Sequence, residues 1–322
     1  MTAPEPAPDL RRLRRFALAA VVTNIGIVIT GGVVRVTGSG LGCPDWPTCD
    51  GRAVTPVGGD HEGWHVFIEF GNRLLTFVVL AAVVAVLVEV RRQRPQARPL
   101  EPLAWALVGG VLTQAAVGGV TVLTGLAPLT VAVHFLLSMA LIAVAVTLHQ
   151  RLRPGPAHAP PPIGLRHATS AVVWVALVVL VLGTLVTGAG PHGGDPGASR
   201  LGLDIRVMAI AHADAVWLLV GVTAASMLAG WRTGPPAFRR GLRLLLVVQL
   251  AQGGIGYLQY VLGIPPALVS LHIAGASVMW ALAVGVWVAA RPELLLPAAR
   301  SSSPPLPTQT ADPGQPSGIV PS

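Results

Sequence analysis

Three histidines, His134, His212 and His272, fall inside long apolar stretches of a chain that is otherwise poor in charge. An ionisable side chain within a membrane span is expensive to bury and is a functional candidate by default. His134 and His272 each follow, by six residues, a proline placed to open a helix (Pro128 and Pro266), and His212 follows Arg206 by the same interval. At about 1.5 Å of rise per residue, all three lie about 9 Å in from one end of their helices. Imidazoles at one depth on neighbouring helices of a bundle suit the axial positions of a haem iron. His212 and His272 are expected to grip one iron from both faces. The bland alternative for any single membrane histidine is a hydrogen bond to the next helix.

Glu69 and Asn72 reach a similar depth in the second apolar segment, and His65, Glu69 and Asn72 follow an i, i+4, i+7 spacing that puts them on one helix face. Asparagine is a poor iron ligand. A site built around His134 therefore has one sure ligand with a carboxylate beside it, an arrangement suited to chemistry. A doubly ligated iron is suited to electron transfer.

Eight segments are long and apolar enough to carry such residues across a bilayer, which takes about 20 residues each. They are expected at 16–35, 64–88, 102–124, 126–148, 169–189, 207–230, 244–264 and 266–290. Hydrophobic residues make up 52% of the 322, charged residues only 11%, and mean hydropathy is +0.66, which excludes a soluble or disordered chain. The fold class expected is an all-α integral membrane protein of the cell membrane.

All 22 basic residues are arginine, and their distribution sets the topology. The N-tail, the second, fourth and sixth connections and the C-tail hold all but Arg35, Arg52, Arg73, Arg200 and Arg206. The positive-inside rule then puts both termini in the cytoplasm, and the basic pI reports topology, not nucleic-acid binding. Cys43 and Cys49, the two cysteines of the chain, share a loop on the oxidising side, where a disulfide is expected. It either staples the loop or takes part in redox chemistry.

The segment from Gln114 to His134 matches the one from Gln252 to His272 at a constant offset of 138, with Gly118/Gly256, Gly125/Gly263 and Pro128/Pro266 in register. The first and fifth spans end alike, in VTGSG and VTGAG. The eight helices are therefore expected to form two parallel four-helix-bundle repeats, 16–149 and 169–290, related by an axis along the membrane normal. A Pro-rich cytoplasmic linker (150–168) joins them. The tails 1–15 and 291–322 are expected to be cytoplasmic and largely disordered. His61, His149, His158, His167 and His192 fall in loops or at ends and are read as solvated.

TGSGLGCPDWPTC (37–49), IEFGNR (68–73) and the histidines of spans 4, 6 and 8 together resemble the haem A synthase family over about residues 16–290. The resemblance implies haem b as cofactor, with His212 and His272 as its axial ligands. It implies oxidation of haem O in the N-terminal half, with His134 as the substrate-haem ligand and Glu69 as the essential acid. The C8 methyl of haem O would become the formyl of haem A for cytochrome oxidase, which implies a haem O synthase and oxidase assembly proteins as partners. Many members carry histidine where this chain has Asn72, which puts two-histidine binding of the substrate haem in doubt; His65 is a candidate replacement and Arg73 a candidate propionate partner. Two rivals are a dihaem electron-transfer cytochrome without synthetic activity, and a transporter.

Overall fold

This computed structural model describes residues 10–56, 63–153 and 161–296. The calls on His61, His158 and most of both tails lie outside the described residues. Among the described residues there are eight long α-helices and no strand: α1 (Arg11–Val36), α2 (Trp64–Arg92), α3 (Glu101–Leu123), α4 (Pro128–Arg151), α5 (Ile163–Ala189), α6 (Ile205–Thr233), α7 (Pro236–Val261) and α8 (Pro266–Ala289). All eight are long and apolar enough to cross a membrane, where only a helix or a closed barrel can satisfy its own backbone. The chain is a multi-pass membrane protein.

Helix bounds differ from expectation where charge misled. α1 begins at Arg11, not 16, and α7 at Pro236, not 244. Proline at a first helical turn costs no hydrogen bond, and arginines in a terminal turn can lay their stems along the helix while the head group reaches water. The linker shrinks from both sides, because α4 runs to Arg151 and α5 starts at Ile163.

Helices α1 to α4 close a ring of neighbours (α1 on α2, α2 on α3, α3 on α4, α4 on α1), and α5 to α8 close a second ring in the same order. The rings meet through α1 on α8, α4 on α8 and α4 on α5. Exchanging α1 with α5 and α4 with α8 maps that set of contacts onto itself. One hydrophobic cluster spans the seam, joining Val28 of α1 and Ile142 of α4 to Ala176 of α5 and Ala283 of α8. The buried Trp280 indole N–H donates to Met139 O across it at 2.7 Å. A Cβ at Gly32 would lie 3.2 Å from Ile273, so α1 and α8 approach closely there.

The connections after α1, α3, α5 and α7 gather at one end, here the disulfide end. Gly40 N–H donates to Gly194 O (2.8 Å), and His192 Nε2 lies 2.8 Å from Ile264 O. His192 is thus bonded, where solvation was expected. The turns after α3 and α7 repeat each other bond for bond. Leu126 N–H donates to Thr121 O and Ile264 N–H to Gln259 O. Gly125 and Leu126, like Gly263 and Ile264, take left-handed φ of 61°, 59°, 75° and 62°. That conformation is unusual for leucine and rarer still for a β-branched residue. The close-packed core of the first ring lies toward the other end, around Leu13, Val83, Leu100 and Leu148. At the disulfide end, Pro128–Ser138 of α4 and Ile205–Leu218 of α6 contribute no buried residue.

Candidate functional site

The histidine ends of α6 and α8 face each other. The rings of His212 and His272 have centroids 6.3 Å apart and planes at 67°. His212 Nδ1 is 3.0 Å from Val179 O on α5, which fixes that ring and leaves Nε2 for another partner. His272 Nδ1 is buried without a hydrogen-bond partner. A metal held by two imidazoles at about 2.0–2.1 Å each, plus half a ring on either side, separates the centroids by about 6 Å. The pair therefore fits a shared haem iron better than it fits a mutual hydrogen bond. Glycines line both rings: Cβ atoms at Gly183 and Gly256 would stand 3.3 and 3.5 Å from His212 Cε1 and His272 Cε1.

His134 repeats the setting of His272 in the first ring. Its Nδ1 is likewise buried without a partner, and a Cβ at Gly118, the counterpart of Gly256, would lie 3.1 Å from His134 Cε1. The backbone O of His134 accepts from Gln114 Nε2 at 2.9 Å, which ties α4 to α3. Asn72, three residues past Glu69 on α2, accepts the Thr30 hydroxyl at its Oδ1 (2.7 Å).

Glu69 and Arg73 hold the disulfide loop against α2. Buried Glu69 accepts the Cys43 N–H at Oε2 (2.6 Å). Arg73 donates from Nε and Nη2 to Glu69 Oε1 (3.1 and 2.6 Å), from Nη1 to Asp45 O (2.9 Å) and Thr48 O (3.1 Å), and from Nη2 to Cys43 O (2.8 Å). A guanidinium has five N–H donors, and all five are engaged. The propionate partner expected of Arg73 is replaced by loop carbonyls and a carboxylate. His65 is also drawn to the loop: its Nδ1 is 2.8 Å from the buried Ser39 hydroxyl, itself 2.8 Å from Thr37 Oγ1. It sits at the start of α2, about 10 Å along the axis from Asn72.

Cys43 and Cys49 form a disulfide and are buried with Val66, with the partly buried Phe70 packed against them. Trp46, between them, lies across α3 at Gly119, where a Cβ would overlap the indole, two of its ring atoms at 2.8 Å. The pair Gly118–Gly119 thus receives His134 on one side and Trp46 on the other. Sequence reasoning missed Thr30, Ser39, Trp46 and Arg35. Arg35 reaches from α1 to His192 O (2.6 Å) and Thr187 O (3.1 Å) in the second ring. Its place among the five basic residues left at the disulfide end was the available signal.

Residues 14–191 match the family model described as cytochrome oxidase assembly protein (COX15-CtaA). The match covers more than half of the chain and ends before His212 and His272. A protein of Lysinibacillus sphaericus named heme A synthase is 33% identical over 143 residues, 43% of this chain and 44% of that relative. One of the same name from Methylobacterium radiotolerans is 30% identical over 172 residues, 49% of this chain and 46% of it. The chain spans about half the length of these curated relatives. A third, from Thermus thermophilus and named protoheme IX farnesyltransferase, is 31% identical over 119 residues, 37% of this chain but 19% of that protein.

Proposed function

The chain belongs to the family of cytochrome oxidase assembly proteins, and on that premise we propose that it is a haem A synthase, oxidising the C8 methyl of haem O to a formyl by successive hydroxylations. The observation that carries the reading is the 6.3 Å separation of the His212 and His272 rings. In this reading the two residues are the axial ligands of haem b in the second ring, which supplies one-electron transfer when bound. His134 ligates the iron of the substrate haem in the first ring, with Asn72 and His65 as lesser contacts.

With water as the source of the oxygen atom, R–CH3 + H2O gives R–CHO with release of protons and electrons, so the conversion needs an outlet for electrons and an acceptor for protons. Glu69 holds or moves a proton at its carboxylate. The same carboxylate anchors the Cys43 N–H, so the acid and the disulfide act as one unit above the first ring. Arg73 fixes the Glu69 carboxylate in place. Gln114 and Gly118 orient and make room for the His134 ring. Asn72, a poor iron ligand whose carbonyl is already bonded to the Thr30 hydroxyl, favours an asymmetric pair of sites over the dihaem cytochrome.

The matched turns and the self-mapping contacts between the rings support two parallel four-helix repeats. The arginines of the first α1 turn, the α2–α3 connection, the end of α4 and the start of α7 support a cytoplasmic location for that end, with the disulfide end outside. A haem O supplier and the oxidase that receives haem A are the partners this function needs. The test is expression together with a haem O supplier, followed by chromatography of the extracted porphyrins. Haem A or hydroxylated haem O is the expected product; recovery of haem b and unchanged haem O alone would overturn the proposal.

A further inference from the structure

A cleft follows the seam between α1 and α2 and takes in Asn72. Its upper part, about 370 Å³, is lined by Thr30, Val33, Ile68, Gly71, Asn72 and Leu75. Its lower part, about 260 Å³, shares Thr30 and Leu75 and extends to Val22 and Val78. From Val33 to Val22 it follows about 16 Å of helix. The walls are apolar except for Thr23, whose hydroxyl donates to Ala19 O, and the head, where the Asn72 carbonyl is taken by the Thr30 hydroxyl. That leaves the Asn72 amide N–H₂ as a donor, one helical turn from Glu69. Two glycines keep the cleft wide, since a Cβ at Gly26 or at Gly71 would meet nothing within 4 Å. Glycine is the least helix-favouring residue after proline, and no close approach of a neighbouring backbone requires it at either position.

We propose that this cleft is the subsite for the isoprenoid tail of the substrate. The Asn72 amide donates to the hydroxyl where the tail leaves the porphyrin, and the farnesyl chain runs down the seam past Gly71 and Gly26. The inference rests on the haem O reading above. An extended farnesyl chain matches the cleft in length and in its lack of polar groups, and the polar head lies where the tail's single hydroxyl falls. A relative's name, protoheme IX farnesyltransferase, describes a farnesylated haem of this kind. The cleft also accounts for asparagine where a second iron ligand is missing: the residue serves the tail, and the iron is left to His134.

The test uses the purified full chain with its second-ring haem in place. Binding of haem O and of protohaem, which lacks the tail, is titrated on the wild type and on Gly26→Leu and Gly71→Leu. Both substitutions raise helix propensity, and a Cβ at either position meets nothing within 4 Å; retention of the second-ring haem spectrum checks that folding is preserved. The wild type is expected to prefer haem O. Each leucine is expected to weaken haem O by at least tenfold, the loss from excluding about two buried methylene groups, and to leave protohaem unchanged. Equal weakening of both haems, or no change in haem O, overturns the tail subsite. So does a change confined to co-purified phospholipid, which would assign the cleft to an acyl chain. A wild type that binds haem O and protohaem equally overturns the tail subsite alone, whereas one that binds neither overturns the first-ring haem site and the subsite with it.

Discussion

Replacing Arg73 by glutamine should release the disulfide loop. The guanidinium makes five hydrogen bonds, three to loop carbonyls and two to Glu69. The substitution leaves Glu69, 4% exposed, with the Cys43 N–H as its remaining partner. Removing one member of a buried ion pair costs about 3–5 kcal/mol, and the lower end applies because the Arg73 side chain is 22% exposed. Cys43 and Cys49 are 0% and 1% exposed, so a soluble reductant reaches them only when the loop opens. At about 1.4 kcal/mol per decade, 3 kcal/mol raises the open population by roughly a hundredfold. Reduction by a water-soluble phosphine, followed by alkylation and mass spectrometry, should accelerate by that factor in the EX2-like limit where opening is fast and reversible. Arg52→Gln, in the same loop and exposed, controls for loss of charge. Acceleration of less than threefold for Arg73→Gln would refute the assignment of loop anchoring to this residue.

His272→Ala should abolish the absorption spectrum of a haem with two imidazole ligands, while His134→Ala should retain it, because the two residues lie in different rings; loss of that spectrum on changing His134 would contradict the assignment. Gly119→Ala should lower the thermal midpoint by several degrees, since overpacking costs about 1–3 kcal/mol. The control is Gly71→Ala, whose Cβ meets nothing and which should leave the midpoint unchanged or raised.

The helices were legible because a bilayer imposes one period and one length, and the histidines because an imidazole in such a segment stands out against its neighbours. The constant offset of 138 located the matching turns, although their left-handed Leu126 and Ile264 are invisible in residue type alone. The partners of Glu69 and Arg73 were not legible: they are backbone groups of a loop folded back onto α2, and the order of residues in a loop does not say which carbonyl points inward. Arg73 read as a candidate propionate partner for that reason. Thr30 passed unnoticed because a threonine in an apolar helix usually bonds its own preceding turn; here Gly26 O and Ile27 O lie at 3.2 and 3.1 Å, but the single hydroxyl proton goes to the closer Asn72 Oδ1 at 2.7 Å.

The cluster that runs from Val28 and Ile142 through to Ala283, pinned by Trp280 on Met139, turns two bundles into a single body. Side chains from both sides pack there in one continuous cluster. In the proposed reaction, any electron passed from the His134 site to the His212–His272 pair would cross a gap whose width is set when the protein folds, and turnover would proceed over a fixed distance with no docking step to wait for.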